Sequence, residues 1–335
     1  MRVFAICLVL SIAGAVEAAG QPKKDAKHAS AGSKLGIKTP GVQIPVTSLK
    51  ADAEFTLSPD WMVFGDAVLL HDPQTGNVVP LDPKTNKLAQ PVAGQSKTCG
   101  GSAAGFATLW IPNCADHTLI RLEQTGWKQT ARIDTGIGSA QPAVAASSDS
   151  VWILSDDKTT LLRIDPEQNK PVADLRLPAG CNTLAFGEGA LWITCPAENR
   201  VLRVDPQTNL VDKRIEVSAQ PSALAIGETS VWVLCLKEGK VERIDPKTNK
   251  VTKTIDLSAP ATRGGMAIGQ GSVWVTLSGF PLTRIDPQTE KVVQQFWGPG
   301  GGAVQFGQGS LWLSNLQEGT LWRLDPRRIA ATLAE

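Results

Sequence analysis

The sequence predicts an all-β fold built from seven similar units, and repeating features of its 335 residues carry that prediction. Seven tryptophans recur at successive spacings of 49, 42, 40, 40, 42 and 38 residues, and six of them have apolar neighbours on both sides, as in a buried strand. A period near 40 with several strands per unit is typical of a β-propeller. The seven are Trp61, Trp110, Trp152, Trp192, Trp232, Trp274 and Trp312.

The unit is clearest between residues 222 and 255. Four short segments alternate or run apolar like strands, and turns rich in Gly, Ser, Asp and Asn separate them. The segments are 222–226, 231–235, 241–244 and 250–255. Four short antiparallel strands make one blade, so we predict a seven-bladed β-propeller of four-stranded antiparallel blades.

The turn before the fourth strand has the pattern Asp-Pro-x-Thr-Asn in most units, and the second unit departs from it with Glu-Gln-Thr-Gly at 123–126. Proline sets φ at the second position, aspartate accepts hydrogen bonds from the following backbone amides, and asparagine tolerates positive φ. Copies or variants start at Asp82, Asp165, Asp205, Asp245, Asp286 and Asp325, with an extra copy at Asp72. An arginine two residues before the turn is expected to pair locally, which at a surface stabilises by about 0–1 kcal/mol. These arginines are Arg163, Arg203, Arg243, Arg284 and Arg323. Each tryptophan is expected to fill the wedge between two blades.

A ring also needs a join between its first and last blades, so that no sheet edge stays open. Residues 41–46 have the pattern of a spare outer strand, and we expect them to complete the last blade. Residues 329–333 are expected to form a weak strand near the end of the chain.

The regions before the propeller are predicted from composition. Residues 1–18 have a short apolar run and small residues before Ala19, as in a secretory signal peptide. Residues 19–40 are rich in Lys, Ala, Gly and Ser and are predicted to be a disordered basic linker, leaving 41–335 for the propeller. The expected location is therefore periplasmic or secreted, with no membrane span. The net charge is +1 and the body is slightly acidic, which argues against nucleic-acid binding.

The repeat resembles the YVTN-type and streptogramin-lyase-like (virginiamycin B lyase-like) propellers. The resemblance covers about residues 41–328 and is carried by 271–275 with 283–287 and by 189–193 with 202–206. A lyase of this kind would imply a magnesium-dependent ring-opening elimination with a histidine general base in a late blade. This chain has no histidine after His117, so the resemblance implies the fold and not the lyase chemistry.

Four cysteines have matching positions in two units. Cys99 and Cys181 each lie eleven residues before a repeat tryptophan, and Cys114 and Cys195 lie four and three residues after one. The start of a first strand and the end of a second meet on one face, so Cys99–Cys114 and Cys181–Cys195 are predicted disulfides, each stabilising by about 3 kcal/mol. Cys235 has no partner in this scheme, and it is either a buried apolar residue or a reactive thiol.

The same loop face holds the candidate ligand-binding side chains. Arg263 is the first choice, since it enters an inner strand near the ring axis, where an arginine without a partner is costly. The consecutive glycines 300–302 are expected to leave room for a close approach. The other candidates are Asn182, Asp116, His117, Asp156, Asp157, Glu198 and Asn315.

Three functions fit these features. The one we favour is a binding or scaffold module of the cell envelope: a monomer that takes a protein or small-molecule ligand at the central pocket face, without a cofactor or metal site. The second is a cation-dependent lyase or lactonase-like enzyme, in which Ca²⁺ or Mg²⁺ would bind carboxylates and Asn182 or Asn315. The third is a redox or sensor accessory built on Cys235.

Overall fold

The computed structural model describes residues 35–39, 41–95, 97–138, 142–155 and 159–332. The predicted signal peptide and residues 19–34 and 40 of the predicted linker lie outside these ranges. The end of that linker touches the propeller: Gly36 N donates to Ser258 O at 2.6 Å, and Ile37 N donates to Gln295 Oε1 at 2.7 Å.

The described strands form seven sheets, which confirms the seven-bladed propeller of four-stranded antiparallel blades. Each sheet is a meander, with the first strand innermost. Blade 1 comprises Met62–Phe64, Val68–Asp72, Asn77–Asp82 and Lys87–Leu88. Blade 2 comprises Ala103–Gly105, Thr108–Asn113, Thr118–Glu123 and Gln129–Asp134. Blade 3 comprises Val144–Ala146, Val151–Ser155, Thr160–Asp165 and Lys170–Arg176. Blade 4 comprises Thr183–Gly187, Ala190–Cys195, Arg200–Asp205 and Leu210–Glu216. Blade 5 comprises Pro221–Gly227, Ser230–Cys235, Lys240–Asp245 and Lys250–Asp256. Blade 6 comprises Gly264–Gly269, Ser272–Leu277, Phe280–Asp286 and Lys291–Trp297, and blade 7 starts with Val304–Gly307, Ser310–Asn315 and Thr320–Leu324.

An N-terminal strand does complete blade 7, but it is not the predicted one. Ala53–Phe55 pairs antiparallel with the third strand of that blade, with Glu54 opposite Trp322. Gln43–Pro45, within the predicted segment 41–46, instead runs parallel to the outer strand of blade 6 as a fifth strand. The prediction for 41–46 was therefore wrong. Ile44 is 1% exposed in its new place, so burial of this side chain favours the observed pairing.

The predicted weak strand at 329–333 is also wrong, because Pro326–Ala331 form a short α-helix. Asp325 caps it by accepting a hydrogen bond from Arg327 N at 2.8 Å, and Pro326 occupies the first turn. An acidic cap followed by proline is a helix start, and this local signal outweighs the apolar run behind it. Two 3-10 turns, Val46–Ser48 and Pro196–Glu198, complete the described helical segments.

The core lies between blades. Six repeat tryptophans, from Trp110 to Trp312, lie in second strands and are at most 1% exposed. Five of their indole N–H groups donate to the carbonyl of the glycine five residues earlier, as Trp274 Nε1 does to Gly269 O at 3.0 Å. These glycines are needed for packing, since a Cβ on Gly269 would lie 2.1 Å from the Phe306 ring of the next blade.

Trp61 is not the seventh copy, contrary to the sequence interpretation. It precedes the first strand of blade 1, whereas the second strand carries Leu69 opposite Pro80. The other blades place Trp opposite Arg in that pair, for example Trp152 opposite Arg163. Leu69 is fully buried, so an aliphatic side chain fills the wedge in this blade.

Four of the six arginines opposite a repeat tryptophan connect neighbouring blades, whereas Arg203 and Arg284 pair within their own blade, with Asp212 and Gln294, as predicted. Arg163 lies over its own Trp152, 5.3 Å from the ring centroid, and its Nη1 donates to Pro206 O and Asn209 Oδ1 in the turn of the next blade at 3.0 and 3.1 Å. Arg121 and Arg323 make equivalent contacts. Arg121, Arg163 and Arg323 each fasten an Asp-Pro turn to the preceding blade, so at these three positions the repeat motif stabilises the ring as well as the hairpin.

Candidate binding site

Two cavities meet on the ring axis, on the face where the first strands begin. They measure about 650 and 510 Å³ and share lining residues from blades 1, 4, 5 and 7. We refer to them together as the axial cavity. The shared residues are Asp60, Thr183, Ser222, Leu224 and Gln305.

The wall has a regular origin in the repeat. Trp61 O accepts from His71 N, as Ala143 O does from Leu154 N and Ala303 O from Ser314 N, so these residues are equivalent. The residue before each of them lines the axial cavity in every blade. This set, which we call the cavity ring, is Asp60, Gly100, Pro142, Asn182, Ser222, Gly264 and Gly302. The cavity ring contains one charged side chain, that of Asp60.

Two of the sequence-predicted residues line this cavity. Arg263 precedes Gly264 and borders the larger lobe, where its side chain is exposed and makes no ion pair or hydrogen bond with the described part of the chain. Asn182 borders the smaller lobe, and its Oδ1 accepts from Thr194 Oγ1 at 2.6 Å. Arg263 is thus a free cation at the cavity, whereas the Asn182 carbonyl is already engaged.

The other predicted residues that the structure describes do not line it. Asp116 forms an ion pair with Arg132, and His117 Nδ1 forms a hydrogen bond with Ile137 O. Glu198 lies 3.8 Å from Arg200, and Asn315 Oδ1 accepts from the amides of the two residues at 317 and 318. Asp156 and Asp157 lie outside the described residues. The loops after the second strands therefore use these side chains for local structure.

Sequence reasoning missed the acidic side of the cavity. Asp60 Oδ1 lies 2.5 Å from His71 Nδ1, and His71 Nε2 lies 3.1 Å from Thr98 O. The His71 ring is stacked on Trp61 at 5.1 Å with an interplanar angle of 4°. His71 is 4% exposed, whereas the Asp60 side chain is 29% exposed. A buried imidazole therefore positions a carboxylate that faces the cavity. A sequence signal for this position exists, because the interval from Leu69 to Asp82 equals that from Trp152 to Asp165. The equal spacing makes Leu69 the equivalent of Trp152, which places Asp60 just before the inner strand of blade 1.

The glycines 300–302 serve the protein's own backbone. A Cβ on Gly301 would lie 2.7 Å from Leu277 O, and one on Gly302 would lie 2.5 Å from Ser314 O. Gly300 and Gly301 also have φ of 121° and 112°, which side chains disfavour. The expected close approach is thus that of the adjacent strands, and the residues border the larger lobe as bare backbone.

Both predicted disulfides are confirmed, Cys99–Cys114 and Cys181–Cys195. They precede cavity-ring residues Gly100 and Asn182, so they fix the wall of the smaller lobe. Cys235 is a free and fully buried cysteine. Burial, and then the nearby carboxylates of Glu242 and Glu238, raise the pKa of its thiol, which disfavours the reactive thiolate.

Within the described residues, no group of three or more His, Cys, Asp and Glu side chains is arranged to hold a metal ion. None of the helices in that part of the chain has the length and apolar character that a membrane span requires.

Comparisons with known proteins identify the fold. No family model and no curated protein matches the chain. Among solved structures, a streptogramin B lyase superposes with a TM-score of 0.67 over 87% of this chain and 95% of its own, at 14% identity. Virginiamycin B lyase from Staphylococcus aureus gives 0.68 over 82% and 98%, and Kuenenia stuttgartiensis hydrazine synthase gives 0.65 over 82% and 97%, each at 14% identity. The likeness to the streptogramin-lyase propellers is therefore confirmed as a likeness of fold.

Proposed function

We propose that this chain is an exported binding protein of the cell envelope that takes a small polar molecule into the axial cavity. One observation carries the proposal: a residue from every blade, together with Arg263, lines the axial cavity, whose two lobes measure about 650 and 510 Å³. Small-molecule sites are concave, of about 300–1,000 Å³, and have a few polar groups that fix orientation. A rigid ring with such a cavity at its centre is suited to binding.

Export is supported by the two disulfides, since such bonds persist in oxidising compartments. The apolar N-terminal segment and the Lys-rich segment after it are consistent with a secretory signal and a linker. The proposed location is the periplasm or the medium, and the proposed functional unit is a monomer.

A thermal-shift screen of the purified protein against a library of small polar metabolites tests the binding function. Hits should lose their stabilising effect in Ser222→Phe, which places a ring in both lobes of the cavity. The matched control is Ser148→Phe, at an exposed turn away from the cavity. Hits that act equally on both variants, or the lack of any hit, would reject the axial cavity as a binding site.

The cation-dependent lyase or lactonase alternative gives a different result in the same assay. Calcium or magnesium should then raise the melting temperature by itself, because a cation held by several oxygen ligands stabilises the folded state. Stabilisation by either ion, removed by Asn182→Ala, would favour the enzyme over the binding protein.

A further inference from the structure

The axial cavity carries two opposite charges on otherwise neutral walls. The other cavity-ring positions are Gly, Pro, Asn and Ser, and the residues that precede them, where described, are Pro, Cys and Gly apart from Arg263. Asp60 and Arg263 both line the larger lobe. They belong to blades 1 and 6, so blade 7 lies between them on the ring.

The two charges do not neutralise each other. The ion pairs of the described residues include none between Asp60 and Arg263, although both border one space. An arginine that could reach the carboxylate would gain a charge-assisted hydrogen bond. Both groups therefore border the same space of about 650 Å³ without pairing with each other.

The carboxylate is held in place. Asp60 Oδ1 is occupied by His71 Nδ1, and His71 is fixed in turn by Thr98 O and by stacking on Trp61. Asp60 Oδ2 accepts no hydrogen bond from a described residue and belongs to a partly exposed side chain. One oxygen therefore anchors the group, and the other is available to a donor in the cavity.

The opposite wall suits an anion. Arg263 presents up to five N–H donors in a planar fork that matches a carboxylate. The glycines that line the lobe beside it, Gly264, Gly265 and Gly300–Gly302, keep side chains away from that fork.

We infer that the axial cavity binds small zwitterions of the amino-acid or short-peptide class, with the ligand carboxylate on Arg263 and the ligand ammonium on Asp60. Neutral donors and acceptors such as Ser222 and Gln305 would contact the part between the two charges. This inference rests on the proposed function, because it names the ligand class of the same cavity.

The test uses the twenty L-amino acids and a set of dipeptides as probes, first by thermal shift and then by calorimetry on the purified full chain. At least one zwitterion should bind. Its N-acetyl form, which lacks the ammonium, and its carboxamide, which lacks the carboxylate, should each bind at least tenfold more weakly.

Variants assign each charge to its partner. Asp60→Asn should weaken the binding of the zwitterion at least tenfold but leave the binding of its N-acetyl form unchanged. Arg263→Gln should weaken the binding of the zwitterion at least tenfold but leave the binding of its carboxamide unchanged. Asp174→Asn and Arg214→Gln, both exposed on outer strands, are the controls and should bind as the parent does. Because the ligand derivatives test the same pairs without any mutation, a folding defect in Asp60→Asn would not leave the question open.

The outcomes separate this inference from the proposed function. If a non-zwitterionic metabolite binds in a way that Ser222→Phe abolishes, while no zwitterion binds, the inference fails and the binding function stands. Absence of any ligand overturns both. Equal binding of the zwitterion and its two derivatives also overturns the inference.

Discussion

Arg323 and Asn86 lie 237 residues apart in the chain, yet Arg323 Nη1 donates a hydrogen bond to Asn86 Oδ1 at 2.8 Å. Arg323 is in the last blade and Asn86 in the Asp-Pro turn of the first. Arg121–Asn169 and Arg163–Asn209 repeat the contact between other neighbouring blades at 3.0 and 3.1 Å. The motif that closes each hairpin therefore also closes the ring.

The first prediction concerns this contact. Asn86→Gly keeps a residue that accepts the φ of 56° but removes the acceptor, so it should lower the free energy of unfolding by about 1 kcal/mol more than a matched glycine variant does. The matched variant is Asn249→Gly, at the same turn position and φ, whose Oδ1 has no partner among the described residues. Urea denaturation of both measures the difference, and equal losses would show that the contact contributes nothing.

The second prediction concerns a gap in the repeat. The first residue of the second strand is Thr or Ser in most blades, and its hydroxyl accepts from the arginine Nε, as Ser230 does from Arg243 at 2.8 Å. In blade 4 this residue is Ala190, and Arg203 Nε is buried without a partner. Ala190→Ser should therefore raise the free energy of unfolding by about 1 kcal/mol, and Ser230→Ala should lower it by a similar amount. A destabilised Ala190→Ser protein would contradict this account.

The third prediction concerns Cys235. Cys181 and Cys195 form a disulfide in blade 4, and forty residues later the same two positions hold Pro221 and Cys235, which face each other across the first two strands. Pro221→Cys should form a third disulfide and stabilise the protein by about 3 kcal/mol, as expected for a loop of about 15 residues. Mass spectrometry after denaturation should find no free thiol at position 235. Pro221→Ala is the control and keeps the Cys235 thiol, and a Cys235 thiol that persists in Pro221→Cys would reject the predicted geometry.

The fourth prediction concerns acid stability. Hydrogen bonds from backbone amides, at Gln168 and Glu167 for Asp165 and at Lys247 for Asp245, lower the pKa of these turn carboxyls. Their stabilising effect is thus present above the unfolded pKa of about 3.9 and is lost as the pH falls through the lower folded values. The free energy of unfolding should fall below about pH 4.

Asp245→Asn should reduce the steepness of that fall, because the amide does not titrate. Denaturation curves between pH 2.5 and 7 would show this, with Asp174→Asn as a control at an exposed site outside the turns. A slope unchanged by Asp245→Asn would mean that the turn carboxyls do not contribute to acid unfolding.

The repeat itself could be predicted because its signals are local. Alternating strands and Asp-Pro turns specify a hairpin within about ten residues, and their recurrence specifies the number of blades. Trp61 is the exception, because its residue type matches the repeat tryptophans whereas its position, before the first strand of blade 1, does not. The interval between Leu69 and Asp82 matches the interval between tryptophan and turn in most other blades, and this spacing identifies Leu69 as the equivalent of the repeat tryptophans.

Pairing of the N-terminal strands was beyond local signals. Gln43–Pro45 and Ala53–Phe55 are both short and extended, and either could complete an open blade. Phe55 stacks on Trp312 at 6.3 Å in blade 7, whereas Ile44 is buried in blade 6. The shapes of two distant cores decide between them, and neither core is visible from the segments alone.

The sequence by itself determined the seven blades, the turn chemistry and the two disulfides, because each follows from residues that are neighbours along one hairpin or one blade. Only the tertiary structure decided that Asp60 and Arg263 border one cavity. They are 203 positions apart in the sequence, and they border one space because Ala53–Phe55, just before blade 1, pairs within blade 7 and so closes the propeller ring.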